Sequence, residues 1–317
     1  MNIFLVGQVG QVGKGIFLFI WFFFREQYLI IKLYSIMYSI KDLEKISSQV
    51  RRDILRMVHD AASGHVGGAL GSADFLVALY FDILQPDPSA FLMDGRDEDL
   101  FFLSNGHLSA GWYSVLARYG YFDIGELSTF RKLGSRLQGH PATDTGLPGI
   151  RMSSGSLGQG LSVAIGAALA KKMNADHRLV WCLMGDGELE EGQNWEAMMF
   201  AAAHKVDNLI AVVDYNGKQI DGPVDTVISL GDLNAKFEAF GWMVFSMDGN
   251  NMAEVTDTLK KVQWYTSQEQ PVVILMTTRM GSGVDFMTDN HEWHGVPPND
   301  AQLSKALAQV EETLGDY

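Results

Sequence analysis

Two apolar runs decide the fold: Leu179-Val-Trp-Cys-Leu-Met-Gly-Asp-Gly-Glu188 and Leu209-Ile-Ala-Val-Val-Asp-Tyr-Asn-Gly217. Each closes on a polar, glycine-bearing tip. Continuous runs of this kind are strands buried on both faces, which implies a parallel sheet covered by helices. Ligands in such sheets bind beyond the carboxyl ends of the strands. Asn216 follows Asp186 by 30 residues, so adjacent parallel strands would bring the two tips together. Asp186 then offers a carboxylate and Asn216 an amide oxygen, and a backbone carbonyl of the next loop can add a third hard donor. Mg²⁺ favours oxygen ligands in octahedral geometry and often shares them with phosphates. Gly185 and Gly187 let a diphosphate approach the backbone closely. Taken singly, Gly-Asp-Gly reads equally as a turn and Asn216 as a helix cap. The ordered set of strand, Gly-Asp-Gly-Glu, helix, strand and Asn is specific.

Outward from this pair, helical and strand periodicities alternate. Asp42 to Ala62 carries Leu43, Ile46, Val50, Ile54, Leu55 and Val58 at helical spacing, and Ser72 to Leu84 reads as a second helix. Asp99 to Leu103 is a short strand ending at Ser104-Asn105-Gly106-His107. Leu161 to Met173 is an Ala-rich helix, Arg178 to Met184 a buried strand, and Trp195 to His204 a helix. Strands follow over Leu209 to Asp214, Met243 to Met247 and Pro271 to Thr277, with a helix over Val255 to Trp264. The expected architecture is α/β, a doubly wound, mostly parallel sheet with helices on both faces. No internal repeat or low-complexity linker is visible.

The 317 residues suit one large domain or two small ones. The net charge of -14 argues against nucleic acid held on a general basic surface. An anionic ligand must therefore be held locally, by a metal ion, histidines or helix N-termini. The single cysteine, Cys182, excludes a disulfide scaffold and fits a reducing cytoplasm. Its simplest role is a packed core residue.

The first residues differ from the rest. Ile16 to Phe24 is unbroken and apolar, and through Lys41 the segment carries four basic residues and one acidic. The run is shorter than the ~20 residues needed to span a bilayer. No small-residue cleavage site follows Lys14. The Gly7–Gly15 stretch lacks the Ser or Thr of a phosphate loop. The expectation is that residues 1–38 are an apolar extension, non-native or disordered, with Met37 a plausible true start, and that residues 39–317 form the folded domain.

The chain resembles the transketolase family from about residue 40 to its end. The motifs are Gly185-Asp-Gly-Glu-Leu-Glu-Glu-Gly-Gln-Asn-Trp-Glu-Ala197, Asp207 to Gly222, Ser63-Gly-His-Val-Gly-Gly68, Leu103-Ser-Asn-Gly-His107 and Ser154-Gly-Ser-Leu-Gly-Gln-Gly-Leu161. The resemblance implies the thiamine diphosphate-binding fold, on the side that holds the diphosphate. It implies that Asp186, Asn216 and the carbonyl of Lys218 bind Mg²⁺, with Ca²⁺ or Mn²⁺ as substitutes. Lys218 stands where the family has an aliphatic residue, a change a carbonyl ligand tolerates. Gly187 would offer its amide to the diphosphate beside Gly185, with His107 and His294 near. Gly155, Ser156 and Leu157 would lie along the cofactor, although Ser156 replaces a common Pro. Ile220 would pack on the thiazolium ring.

Of eight histidines, His59, His177 and His204 have no motif around them and read as structural, and His291 is ambiguous. His65, His107, His140 and His294 each sit in a glycine-bearing loop. Neutral imidazoles can bond sugar hydroxyls and move protons near neutral pH, which assigns His65, His140 and His294 to catalysis. Acidic residues 188, 190 and 191 could be only a solvated helix start, the reading preferred for Glu190. By the resemblance, Glu191 and Glu196 lie at a subunit interface near the partner's activating acid.

The implied reaction is transfer of a two-carbon ketol unit from a ketose phosphate to an aldose phosphate. The family's pyrimidine-binding domain has no counterpart here, so a separate C-terminal subunit is expected, in a heterotetramer. The competing readings are a deoxyxylulose-phosphate synthase or 2-oxo acid dehydrogenase component, and a non-catalytic cofactor-binding subunit.

Overall fold

A computed structural model describes residues 38–317 throughout. Of the first 37 it describes the backbone of three strands, β1 (Val6–Val12), β2 (Gly15–Phe24) and β3 (Gln27–Ile31). These pair antiparallel with one another in the order β1-β2-β3. The side chains of this segment, the joints between its strands and the start expected at Met37 lie outside the described residues. Tyr38 packs edge-on against Phe81, ring centroids 5.4 Å apart.

The next element is α1 (Ile40–Asp60), opened by a capping box in which Ser39 and Asp42 satisfy each other's backbone N–H. Such a cap contributes about 1 kcal/mol. The apolar stripe of α1 is buried from Leu43 to Val58. The single helix expected over residues 72–84 is divided. After a separate short helix, α2 (Gly67–Gly71), it runs as α3 (Ala73–Ala78) and then as a π-helical stretch over Leu79–Leu84. Ser72 marks the break, and its hydroxyl reaches the site described below.

The sheet strands are β4 (Leu100–Leu103), β5 (Val180–Gly185) and β6 (Leu209–Tyr215), then a two-residue ribbon of β7 (Lys218–Gln219) and β8 (Gly222–Pro223), and finally β9 (Met243–Asp248) and β10 (Val272–Thr277). Between and after them run α4 (Ser109–Tyr119), α5 (Gly160–Met173), α6 (Gly192–Ala203), α7 (Val224–Val227), α8 (Leu233–Ala239), α9 (Met252–Gln263) and α10 (Asp300–Leu307). The five long strands pair in the order β4-β5-β6-β10-β9, all parallel.

Alternate strand residues feed two cores, as a period of two requires. Phe101, Trp181, Leu183, Ile210, Val212 and Ile274 face the layer containing α1, α3 and α4. Phe102, Cys182, Met184, Ala211, Val213 and Val273 face the layer of α5, α6 and α8. Cys182 is fully buried, and burial pushes its thiol well up. The helix α4 gave no clear periodic signal because Ser109 to Ala117 is buried all round. Among the described residues no helix is long and apolar enough to cross a membrane.

Candidate active site

Strand register builds the centre of the site. Gly185 on β5 pairs with Asp214 on β6, and the next amide, that of Asp186, donates to the Asp214 carbonyl at 3.2 Å. Asp186 and Asn216 therefore meet at neighbouring carboxyl ends. The Asp186 carboxylate is buried and accepts the N–H groups of Gly187 at 2.8 Å and Gly217 at 2.5 Å. Gly217 makes this possible with a φ of 68°, a left-handed turn that glycine adopts without strain. Asn216 accepts the Lys218 N–H at 2.8 Å and donates its amide to Asp214 at 3.2 Å. The second contact fixes the orientation of the amide, so that Oδ1, with one lone pair beyond its bond from Lys218, is the end that can bind a cation.

Asp214, on the tip motif but given no role from sequence, is the hub of this arrangement. It also receives the hydroxyls of Ser72, at 3.1 Å, and Thr278. Burial and then the Asp214 charge push Asp186 up to about 7, and burial pushes Asp214 up to about 6. Two neighbouring buried carboxylates are the setting in which a bound cation removes the cost of ionising both.

Beyond the strand tips opens a cavity of ≈ 530 Å³. Its wall brings together His65, His107, His140, His294, Gly155, Leu157, Gly185, Asp186, Gly187, Glu191, Asn216, Lys218 and Ile220. Ser156 is exposed between two lining residues. Glu196 lies elsewhere, on a groove between α5 and α6 with Ser162, Ile165 and Phe200. In the run Met198-Met199-Phe200 of α6, Met198 is core, whereas Met199 and Phe200 are half-exposed. His59, at the end of α1, bonds Asp60 at 2.9 Å and Asp300 at 2.8 Å, and His204 stacks on Phe200.

The four loop histidines form one cluster. Ring centroids lie 5.0 Å apart for His65 and His107, 5.5 Å for His65 and His294, 5.1 Å for His107 and His294, and 6.0 Å for His65 and His140. Burial first, then the neighbouring His294, Arg131 and His140, hold His65 down to about 4. Burial is also the first cause lowering His107, His140 and His294. All four are thus neutral near pH 7 and able to accept protons or hydrogen bonds.

Glu188 corrects the reading of the acidic run as a solvated helix start. It is 2% exposed and bonds to loops on three sides: the Ser104 hydroxyl, the Gly158 N–H at 2.8 Å and the Gly185 N–H at 3.0 Å. Asp214 and Glu188 stand within the motifs, but nothing in their residue type or spacing marks them as buried hubs, so sequence alone could not separate them from surface acids.

The donors fit a phosphate-bearing cofactor and a hard cation. Asp186 and Asn216 supply oxygen ligands of the type such a cation prefers. Buried His65 Nδ1, His294 Nδ1 and Asn105 Oδ1 have no hydrogen-bond partner within the protein. Orphaned polar atoms of this kind in a cavity wall are satisfied by a ligand or ordered water.

Residues 43–314 match the family described as "Transketolase, thiamine diphosphate binding domain". The chain is 36% identical over 275 residues to an apulose-4-phosphate transketolase subunit of Actinobacillus succinogenes, covering 86% of this chain and 98% of that protein. It is 37% identical over 271 residues to a 6-deoxy-6-sulfo-D-fructose transketolase subunit of Clostridium sp. (strain MSTE9), covering 86% and 97% respectively. The solved transketolase of Campylobacter jejuni superposes with a TM-score of 0.78 at 32% identity, over 86% of this chain but 43% of that one. The chain thus spans under half the length of that solved enzyme.

Proposed function

The chain belongs to the transketolase family, in the part that binds thiamine diphosphate, and from that premise we propose that it is the cofactor-holding subunit of a two-chain transketolase. Ketol transfer would run from a ketose phosphate to an aldose phosphate. The observation that carries the proposal is the convergence of His65, His107, His140 and His294 over the paired tips at Asp186 and Asn216. When bound, thiamine diphosphate supplies the nucleophilic carbon that carries a two-carbon ketol unit between sugars. Asp186, Asn216 and the Lys218 carbonyl would hold Mg²⁺ against the diphosphate, beside the Gly187 amide. Gly155, Leu157 and Ile220 would line the ring systems, with Ser156 in the same loop.

On the sugar side, neutral His65 and His140 would hold or take protons at the ketose hydroxyls, with the free His65 Nδ1 available to one of them. His294 and His107 would stand nearer the cofactor. The missing wall and the carboxyl group that activates the aminopyrimidine would come from a separate chain with a pyrimidine-binding domain, in a heterotetramer. The near-complete coverage of relatives named as subunits supports this reading. Glu191, at the cavity wall, and Glu196, on the α5–α6 groove, would face that chain. A single buried cysteine accords with work in the cytoplasm.

A coupled assay with ketose and aldose phosphates, Mg²⁺ and thiamine diphosphate tests the proposal. This chain alone should show no transfer, and activity should appear when the second chain is added. Robust turnover by this chain alone, free of host transketolase, would refute the two-chain reading.

A further inference from the structure

Behind His65 and His140, set back from the cavity, lies an arginine that neither the motifs nor the cofactor site accounts for. We infer that Arg131 is a positioning residue for the sugar side: its guanidinium clamps the loop that carries His65 to the loop that carries His140 and presents an uncompensated positive charge to both rings.

The clamp has two arms. Arg131 Nη1 donates to the Ser63 hydroxyl at 2.9 Å, two residues before His65. Arg131 Nη2 reaches the Gly139 carbonyl at 3.5 Å, one residue before His140. The same carbonyl accepts the hydroxyl of Ser109 at 2.7 Å, which anchors the second loop to the start of α4. The guanidinium also packs on the Gly139 backbone. A Cβ added there would lie 2.6 Å from Arg131 Cζ, so the position tolerates only glycine while the arginine stays. The Arg131 amide donates to the Leu137 carbonyl at 2.8 Å, folding the segment back on itself. Arg131 holds a φ of 58° in doing so, a left-handed conformation that a non-glycine residue adopts at some cost.

The charge is the second part. Arg131 is partly buried, and no carboxylate pairs with it among the described residues; burial lowers it, and Tyr113 nearby offsets part of that. The groups facing His65 are His294, Arg131, His140 and, in ring contact, His107. Those facing His140 are Arg131 and His65. For both rings burial is the larger influence and the guanidinium adds to it, so both stay neutral and able to accept a hydrogen bond. A lysine could supply the charge but not the planar fork that meets Ser63 and Gly139 together.

The meaning for turnover rests on the ketol-transfer reading, whereas the clamp can be read without it. Three variants of the full chain, Arg131→Gln, Arg131→Lys and Ser63→Ala, separate charge from fork. In Arg131→Gln, the ring resonances of His65 and His140 followed by NMR should titrate at higher pH than in the wild type. In Arg131→Lys the titrations should stay near wild type. Amide exchange at residues 63–65 and 139–140 should accelerate in Arg131→Lys and Ser63→Ala. With the second chain present, kcat of Arg131→Lys should fall about 10- to 100-fold, as for a small misplacement of reacting groups, with KM changed less. Unmoved His65 and His140 titrations in Arg131→Gln would overturn the charge effect. Wild-type exchange in both Arg131→Lys and Ser63→Ala would overturn the clamp. If Arg131→Gln fails to fold, Arg131→Met at the same site carries the titration, and the exchange arm still decides the clamp.

Discussion

The carboxylate of Glu188 accepts the backbone N–H of Gly158 at 2.8 Å, across 30 residues of chain. The Ser104 hydroxyl, which donates to the same carboxylate, itself receives the Gly160 N–H at 3.0 Å. The end of β4, the loop before α5 and the end of β5 are thereby tied at one buried point in the wall of the cavity. An ionised carboxylate only accepts, and each of its neighbours here is a donor. Burial pushes the group up, and the three hydrogen bonds pull it back down.

Glu188→Ala should therefore destabilise the chain by about 3–5 kcal/mol, because two buried N–H groups and a hydroxyl lose their acceptor. Glu188→Gln should cost about 1–2 kcal/mol, since the amide keeps one accepting atom. Urea melts at matched m-values measure both. A change within about 0.5 kcal/mol for Glu188→Ala, the size of an ordinary surface substitution, would show that the three contacts do not form.

The histidine cluster makes stability depend on pH, with a definite sign. The folded state holds His65, His107, His140 and His294 below their ordinary value. The unfolded chain then takes up protons first as pH falls, so this stability is present above about pH 6.5 and is lost below it. For His65, held down to about 4, the loss at pH 5 is up to ~2 kcal/mol. His59, which Asp60 and Asp300 raise, opposes the trend, and so do Asp186 and Asp214, whose raised carboxyls also favour the protonated folded form. In thermal melts from pH 7 to 5, His65→Gln should lose less stability on acidification than the wild type. Equal slopes for the two proteins would place His65 in solvent.

Much of this site could be read before any coordinates. Periodic apolar runs located the five strands of the parallel sheet, and the Gly-Asp-Gly and Asp-Tyr-Asn tips fell where parallel strands must end. Glycine-bearing loops separated the four cavity histidines from His59 and His204. What stayed hidden depends on contacts distant in sequence. Glu188 looked like its neighbours Glu190 and Glu191 because burial, and not residue type, distinguishes it. Asp214 gained its role from Ser72 and Thr278, 142 and 64 residues away. Glu196 stands only five positions from Glu191, yet the turn into α6 sends it to a different groove.

Gly106 offers a sharper backbone test. A Cβ there would lie 1.6 Å from the Ser154 carbonyl oxygen. Neither partner is a flexible side chain, so the loop holding His107 must separate from the loop before Gly155. Gly106→Ala should destabilise by about 3 kcal/mol or more, in the range of severe overpacking, and should weaken cofactor binding. Gly166→Ala, with open space around it, should be neutral or slightly stabilising because it sits within α5. Similar melts for the two variants would mean that the loops are not in contact.

The metal site yields an ordered series, because its three expected donors differ in kind. Asp186 brings a charge as well as an oxygen, and its carboxylate is already turned by the Gly187 and Gly217 amides. Its loss should weaken Mg²⁺-dependent thiamine diphosphate binding by ~100-fold or more, the scale of removing one partner of a buried charge pair. Asn216 brings a neutral oxygen, oriented by Asp214 through its other amide atom. Asn216→Ala should cost about tenfold, the scale of one hydrogen-bonded ligand. Lys218 is expected to contribute only its backbone carbonyl, so Lys218→Ala should leave affinity unchanged. Ca²⁺ and Mn²⁺ should support binding in the wild type, because an all-oxygen site suits them as well. The measurement is a calorimetric titration of thiamine diphosphate into the assembled two-chain enzyme with each cation and with none. Unchanged affinity in Asp186→Ala would remove Asp186 from the site. If Lys218→Ala weakened binding as much as Asp186→Ala, the side chain and not the carbonyl would be acting. The site would then neutralise the diphosphate with an ammonium group, and the metal would not be bridging the two strand tips.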